Sequence, residues 1–129
     1  MEITYKSKTI RFSDRGAKLP VILQNKIVMA PWGRRENEHG ALPAMPYIGD
    51  MLIKAGMFQG FKQQHVPILA EEYRTEDDRG YLVPDVVQPG QYMQGFLLDL
   101  NNEKRVYIVG LMFKSSDGFY IAPKMIWKR

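Results

Sequence analysis

From residue 66 onward, turn chemistry recurs at short intervals and the runs between the turns alternate in hydropathy. Gln88-Pro89-Gly90-Gln91 puts Pro then Gly at the central positions, as a type II turn requires. Asn101-Asn102-Glu103-Lys104, Ser115-Ser116-Asp117-Gly118 and Glu76-Asp77-Asp78-Arg79-Gly80 are three more turns, rich in residues that bond locally to backbone or tolerate positive φ. Tyr92, Gln94, Phe96, Leu98 and Leu100 share one face of the run 92–100, and Tyr107, Val109, Leu111 and Phe113 one face of the run 105–113. Val106, Ile108 and Met112 occupy the other face of that second run, which predicts a central strand buried on both sides. Alternation of this kind between tight turns folds as antiparallel strands and as little else.

The rest of the chain extends the pattern. Ile3 to Lys6 and Thr9 to Phe12 alternate apolar or β-branched with charged residues, and Ser13-Asp14-Arg15-Gly16 turns the chain. Val21 to Leu23 and Lys26 to Ala30 are two short strands with Gln24-Asn25 as a tight hairpin between them. Val66 to Thr75, Tyr81 to Val87 and Phe119 to Trp127 are further strands, with Pro84 and Pro123 marking a bulge or an edge. Tyr47 to Phe61 is the best helix candidate: Ile48, Met51, Leu52, Ala55, Met57 and Phe58 roughly follow helical spacing, Lys54 faces away, and Gly56 or Gly60 ends it. The expectation is a mainly β (α+β) fold, a single domain over residues 1–129, built as an antiparallel sheet or open barrel with one short helix.

Composition excludes several function classes. The 129 residues contain no cysteine, so thiolate metal sites, disulfides and a Cys nucleophile are absent. His39 and His65 have no His or Cys neighbour at ligand spacing, which argues against a metal. No Walker loop, G-x-G-x-x-G or G-x-S-x-G occurs, so no cofactor is expected and an enzyme is the less expected class. Glu71-Glu72 and Glu76-Asp77-Asp78 offer adjacent carboxylates without a visible nucleophile or base partner. No apolar run reaches the ~18 residues of a membrane span, and Met1 to Lys6 lacks the pattern of a secretory leader. A cytoplasmic protein with no membrane partner is expected.

Charge is unevenly spread. Residues 1–62 carry ten Lys/Arg against five Asp/Glu, and residues 63–129 eight against nine. In the basic half, Ile27-Val28-Met29-Ala30-Pro31-Trp32-Gly33-Arg34-Arg35 concentrates interaction chemistry. A short apolar run closed by Pro predicts a buried strand leaving the core, with Trp32 at its mouth and Arg34 and Arg35 beyond. An aromatic for base stacking beside arginines for phosphate is the chemistry of single-strand recognition, and Lys54 and Lys62 lie close by in sequence. Trp32, Arg34, Arg35, Lys54 and Lys62 are thus candidate nucleic-acid-binding residues, with single-stranded or distorted DNA as the partner.

The order of elements resembles the SOS response-associated peptidase family, whose members attach covalently to abasic sites in single-stranded DNA. Trp32-Gly33 is similar to the start of that family's Trp-Gly-Leu-Ile-Pro stretch. Ile68-Leu69-Ala70-Glu71-Glu72-Tyr73-Arg74-Thr75 resembles its Leu-Ile-Pro-Ala-Asp-Gly-Phe-Tyr-Glu-Trp strand, Gln94-Gly95-Phe96-Leu97 its Ala-Gly-Leu-Trp, and Arg105 to Val109 its next strand. The likeness covers about residues 26–113. Every departure falls on the chemistry: Glu2 stands where the family has its Cys, Leu52 to Gly56 lacks the Asn, Arg74 or Thr75 stands at the catalytic Glu, and no His-Asp-Arg-Met-Pro segment is present. The resemblance therefore implies a compact, DNA-binding barrel without the covalent activity, of the kind carried by phages or mobile elements.

A second class of function has its own support. Met45, Tyr47, Met51, Met57 and Phe58, with an apolar edge strand ending at Trp127, suggest a surface for another protein. On that reading the chain is a small protein–protein interaction module or inhibitor, or a homodimer.

Overall fold

The computed structural model describes residues 1–76, 82–116 and 118–128, with the side chains of residues 82–84 and 115 outside the description. Among the described residues, twelve strands and one helix follow in order: β1 Glu2–Tyr5, β2 Lys8–Arg11, β3 Lys18–Leu23, β4 Lys26–Pro31, β5 Tyr47–Gly49, α1 Asp50–Lys54, β6 Lys62–Ile68, β7 Glu72–Glu76, β8 Leu82–Val86, β9 Gln91–Leu100, β10 Glu103–Ser115, β11 Gly118–Pro123 and β12 Met125–Trp127. They form two sheets, and the expected mainly β fold with one short helix is what is found. The small sheet has the order β2-β1-β7-β8 and the large one β11-β10-β9-β6-β3-β4, with β12 against β9 and β5 against β10.

Local chemistry accounts for much of this. Lys6-Ser7, Gln24-Asn25 and Asn101-Asn102 each hold two consecutive positive φ angles, 50° and 63° in the case of Gln24 and Asn25. That is the type I′ geometry whose twist matches a hairpin, and Asn is one of the residues that adopts it cheaply. The turns at 77–81 and at Asp117 lie outside the described residues.

Three layers result. Ile3 of the small sheet meets Leu19, Val21, Val66, Ile68, Met93, Val106 and Ile108 of the large one in a first core cluster. Phe96, Leu98, Tyr107 and Val109, on the opposite face of β9 and β10, form a second cluster under Leu42, Ile48 and Phe58. The alternation of β9 and β10 thus feeds two cores, as a central pair buried on both faces must.

Several boundaries differ from the sequence reading. The helix covers only Asp50–Lys54; Tyr47–Gly49 is a strand parallel to β10, and the Cα register pairs Ile48 with Val109. A glycine on each side of this short segment, with strand pairing available to Ile48, outweighs its helical spacing. The expected strand Val66 to Thr75 is two strands in different sheets. Between them the Leu69 amide donates to the Pro20 carbonyl at 2.9 Å, and the Glu71 amide to that of Thr4 at 2.8 Å, so the chain steps from one sheet to the other. The last strand also divides at Lys124, after Pro123: β11 pairs with β10 and β12 with β9.

Two expectations about burial are corrected. β4 is not a buried strand but the edge of the large sheet, and Ile27, Val28 and Met29 are 57%, 40% and 46% exposed. Met112 is exposed too, because the last third of β10 leaves the sheet stack and pairs with β11 alone as a projecting ribbon.

Candidate functional site

The segment that leaves β4 was the expected binding mouth, and its residues face inward instead. Trp32 is fully buried. Its amide donates to the Ala17 carbonyl at 2.9 Å, its indole Nε1 donates to the Pro46 carbonyl at 2.9 Å, and Phe12 meets the ring edge-on at 5.3 Å between centroids. An indole with its only donor satisfied and its rings packed is a core side chain, with no face open for a base to stack on. Gly33 follows with φ 49°, and a Cβ there would overlap the Met45 carbonyl oxygen, so only glycine fits the turn.

Arg35 is buried among acceptors. Its Nη1 donates to the Phe12 and Asp14 carbonyls at 2.8 and 3.1 Å, Nη2 to those of Trp32 and Gly33 at 2.5 and 3.2 Å, and Nε to Glu38 Oε1 at 2.6 Å. The Phe12 ring lies 4.5 Å from the guanidinium carbon. Arg34, half-buried, donates Nε to the Leu42 carbonyl at 2.7 Å and Nη1 to that of Glu38 at 2.8 Å. These planar donor forks hold loop carbonyls that would otherwise be buried and unpaired. The expected phosphate-binding arginines are internal fasteners, and the Trp-Gly-Arg-Arg mouth is corrected to a filled corner of the core.

Nor do the two lysines join it. Lys54 pairs with Asp50 at 2.9 Å on the helix, over the second core cluster, whereas Trp32 belongs to the first on the opposite face of the large sheet. Lys62 lies on β6, where Asp99 is its Cα partner.

Three carboxylates are held down by their partners, Glu38 in this corner and Glu103 and Asp50 elsewhere. Glu38 is held at about pKa 2, first by the Arg35 amide, then by the Arg35 side chain and the Gly16 amide, against the upward pull of burial. Glu103 feels burial pushing it up, but Arg105 and the Ala41 and Leu42 amides outweigh that and lower it. Asp50 is lowered by its bond from Lys54, helped by Lys124. Each perturbed acid is therefore spoken for by structure, and among the described residues no group of His, Asp and Glu could hold a metal ion.

What sequence reasoning missed lies on the surface. Met112 and Phe119 are 66% and 64% exposed, on one face of the β10–β11 ribbon, and Phe113 stacks on Tyr120 at 5.4 Å between centroids on the other, both well exposed. Of the residues expected to form a protein-binding surface, Met45, Met51, Met57 and Trp127 are exposed, but Phe58 is core. The signal for the ribbon was present in part: the alternation of β10 continues to Phe113, and Phe119-Tyr120 follows the next turn signal at once. No helix among the described residues is long and apolar enough to cross a membrane. No family model matches the chain, and neither a curated protein nor a solved structure matches it.

Proposed function

We propose that this chain is a non-catalytic protein-binding module whose contacting element is the β10–β11 ribbon. One observation carries the reading: the ribbon presents large apolar side chains on both faces, Met112 and Phe119 on one and Phe113 and Tyr120 on the other. An isolated two-stranded ribbon gains little stability in water, and its exposed apolar area is a cost unless something covers it. Methionine and aromatic residues are also those enriched where proteins meet. A projecting apolar ribbon suits insertion into a cleft, the geometry of a small inhibitor.

Single-stranded DNA is the less supported partner. Stacking recognition needs exposed aromatics tracked by several free cations; the Trp32 ring and Arg35 are buried, and the exposed aromatics of the ribbon have only Lys114 between them on β10.

A photo-reactive phenylalanine in place of Phe119 tests the reading, with the same residue at Lys8 on β2 as a control. Adducts with a protein from the first position and not the second support it, and light scattering tells a second copy from a different partner. A monomer that yields no adduct from Phe119 ends this proposal.

A further inference from the structure

A second surface, at the far edge of the large sheet from the ribbon, carries its own evidence. β4 pairs with β3 through the register Lys26–Leu23, Ile27–Ile22, Val28–Val21, Met29–Pro20 and Ala30–Leu19. Beyond Pro31, which stands opposite Lys18, Trp32 donates its amide to the Ala17 carbonyl and bridges Val106 of β10 on its other side. Because bonded and non-bonded pairs alternate along an antiparallel ladder, Lys26, Val28 and Ala30 spend their backbone groups on β3. The amides and carbonyls of Ile27 and Met29 then point away from the sheet, and among the described residues no strand lies against them. Pro31, which has no amide, closes this open stretch at one end, and the Gln24-Asn25 turn closes it at the other. Lys26 and Pro31 keep this edge short, as edge strands in natural proteins commonly do, and between them it offers Ile27, Val28 and Met29 in sequence.

The electrostatics select an occupant. Of the cations in residues 15–35, Arg35 is spent on Glu38 and Arg34 on loop carbonyls, which leaves Arg15, Lys18 and Lys26 for this edge, and the neighbouring strand across β3, Lys62–Ile68, contains no acid. Lys26 stands at one end of the open stretch and Lys18, opposite Pro31, at the other; neither is in an ion pair among the described residues. Two copies of this basic edge would bring like charge together. An extended segment with apolar residues at alternate positions and carboxylates at both ends would instead meet complementary charge.

We propose that β4 accepts an acid-flanked, extended segment of a partner protein as an added strand. Its backbone pairs with Ile27 and Met29, and its apolar side chains lie along Ile27 and Met29 on one face and Val28 on the other. The site is independent of the ribbon, so either can fail without the other.

The test uses the full chain and the peptide Glu-Glu-Val-Thr-Val-Thr-Val-Glu-Glu, followed by backbone NMR and amide exchange. Saturable shifts in β4, with slowed exchange at the Ile27 and Met29 amides, are expected. The same peptide with Lys flanks, or N-methylated at alternate amides, should bind about tenfold more weakly or worse. Met29→Pro removes an outward amide without touching the ladder to β3 and should weaken binding by a similar factor. Lys26→Glu gives an independent reading should Met29→Pro fold poorly. Equal binding of the N-methylated and parent peptides, or no protection at Ile27 and Met29, overturns the proposal. So does a dT oligonucleotide that displaces the peptide or shifts β4 in its place, since the edge would then be a nucleic-acid surface. Met112→Asp, on the same ribbon face, should leave peptide binding unchanged while abolishing the adducts from position 119, which keeps the two proposals separable.

Discussion

The corner at Trp32–Arg35 and the ribbon at Met112–Tyr120 both place aromatic side chains beside cations, and they are built in opposite senses. In the corner the buried donors have found partners: the indole donates to Pro46, and the Arg35 fork reaches four carbonyls and a carboxylate. In the ribbon the apolar groups have found few, with Phe119 and Met112 about two-thirds exposed. Residue types that suit recognition therefore do not by themselves mark a recognition site. Satisfied groups hold a fold together, and uncovered apolar area is what a second molecule can still stabilise.

Substitutions can break that contrast, and the largest effect belongs to the corner. Trp32→Ala should destabilise the fold by about 3–5 kcal/mol, the range for emptying a large aromatic site, measured by urea denaturation. A loss below about 1 kcal/mol would mean that Trp32 is not core. Arg35→Met should cost about 3 kcal/mol, because Glu38 and four carbonyls lose a buried donor. If Arg35→Met instead leaves stability intact and alters only binding, the fastening role is wrong. Gly33→Ala should cost about 1–3 kcal/mol, since positive φ and the Met45 carbonyl both exclude a side chain.

The carboxylates lowered in the folded chain sharpen the contrast by pH. Glu38 titrates near 2 in the folded chain against an ordinary 4.5, and Asp50 and Glu103 are also lowered. Groups held down in the folded state bind protons more readily when unfolded, so their contribution is complete above pH 4.5 and drains away as pH falls towards 2. Stability measured from pH 7 to pH 2.5 should drop through this window, and Glu38→Gln should flatten the slope while lowering the plateau. A slope unchanged by Glu38→Gln would remove Glu38 as a cause. The smallest effect belongs to the ribbon: Phe119→Thr should move stability by less than about 0.5 kcal/mol, as exposed substitutions do. A loss of several kcal/mol there would show the ribbon to be part of the core and close the contrast from the other side.

Much of the architecture was legible in residue order. Asn101-Asn102 and Gln24-Asn25 specify their own turns because positive φ is a local property, and the alternation from Tyr92 to Val109 specifies a two-faced strand pair for the same reason. The helix was overestimated because helical spacing at Ile48 and Met51 competes with a strand pairing to β10 that lies some sixty residues away in sequence.

The candidate site was less legible, and for a physical reason. A run such as Ile27 to Ala30 states that the chain is extended and apolar, which holds for a core strand and an exposed edge alike. What decides between them is whether another segment packs alongside. Residues 42–61 cover β9 and β10, while no described strand pairs with the outer side of β4. In the same way Trp32-Gly33-Arg34-Arg35 states that an aromatic and two cations are adjacent, while only Pro46, Phe12 and Glu38, brought in from other parts of the chain, decide that they face inward. Sequence alone determined the mainly β class, the Gln24-Asn25 and Asn101-Asn102 turns and the charge asymmetry, since these rest on backbone conformation and composition. Tertiary structure decided which apolar surfaces were covered, because coverage depends on contacts between residues far apart in the chain.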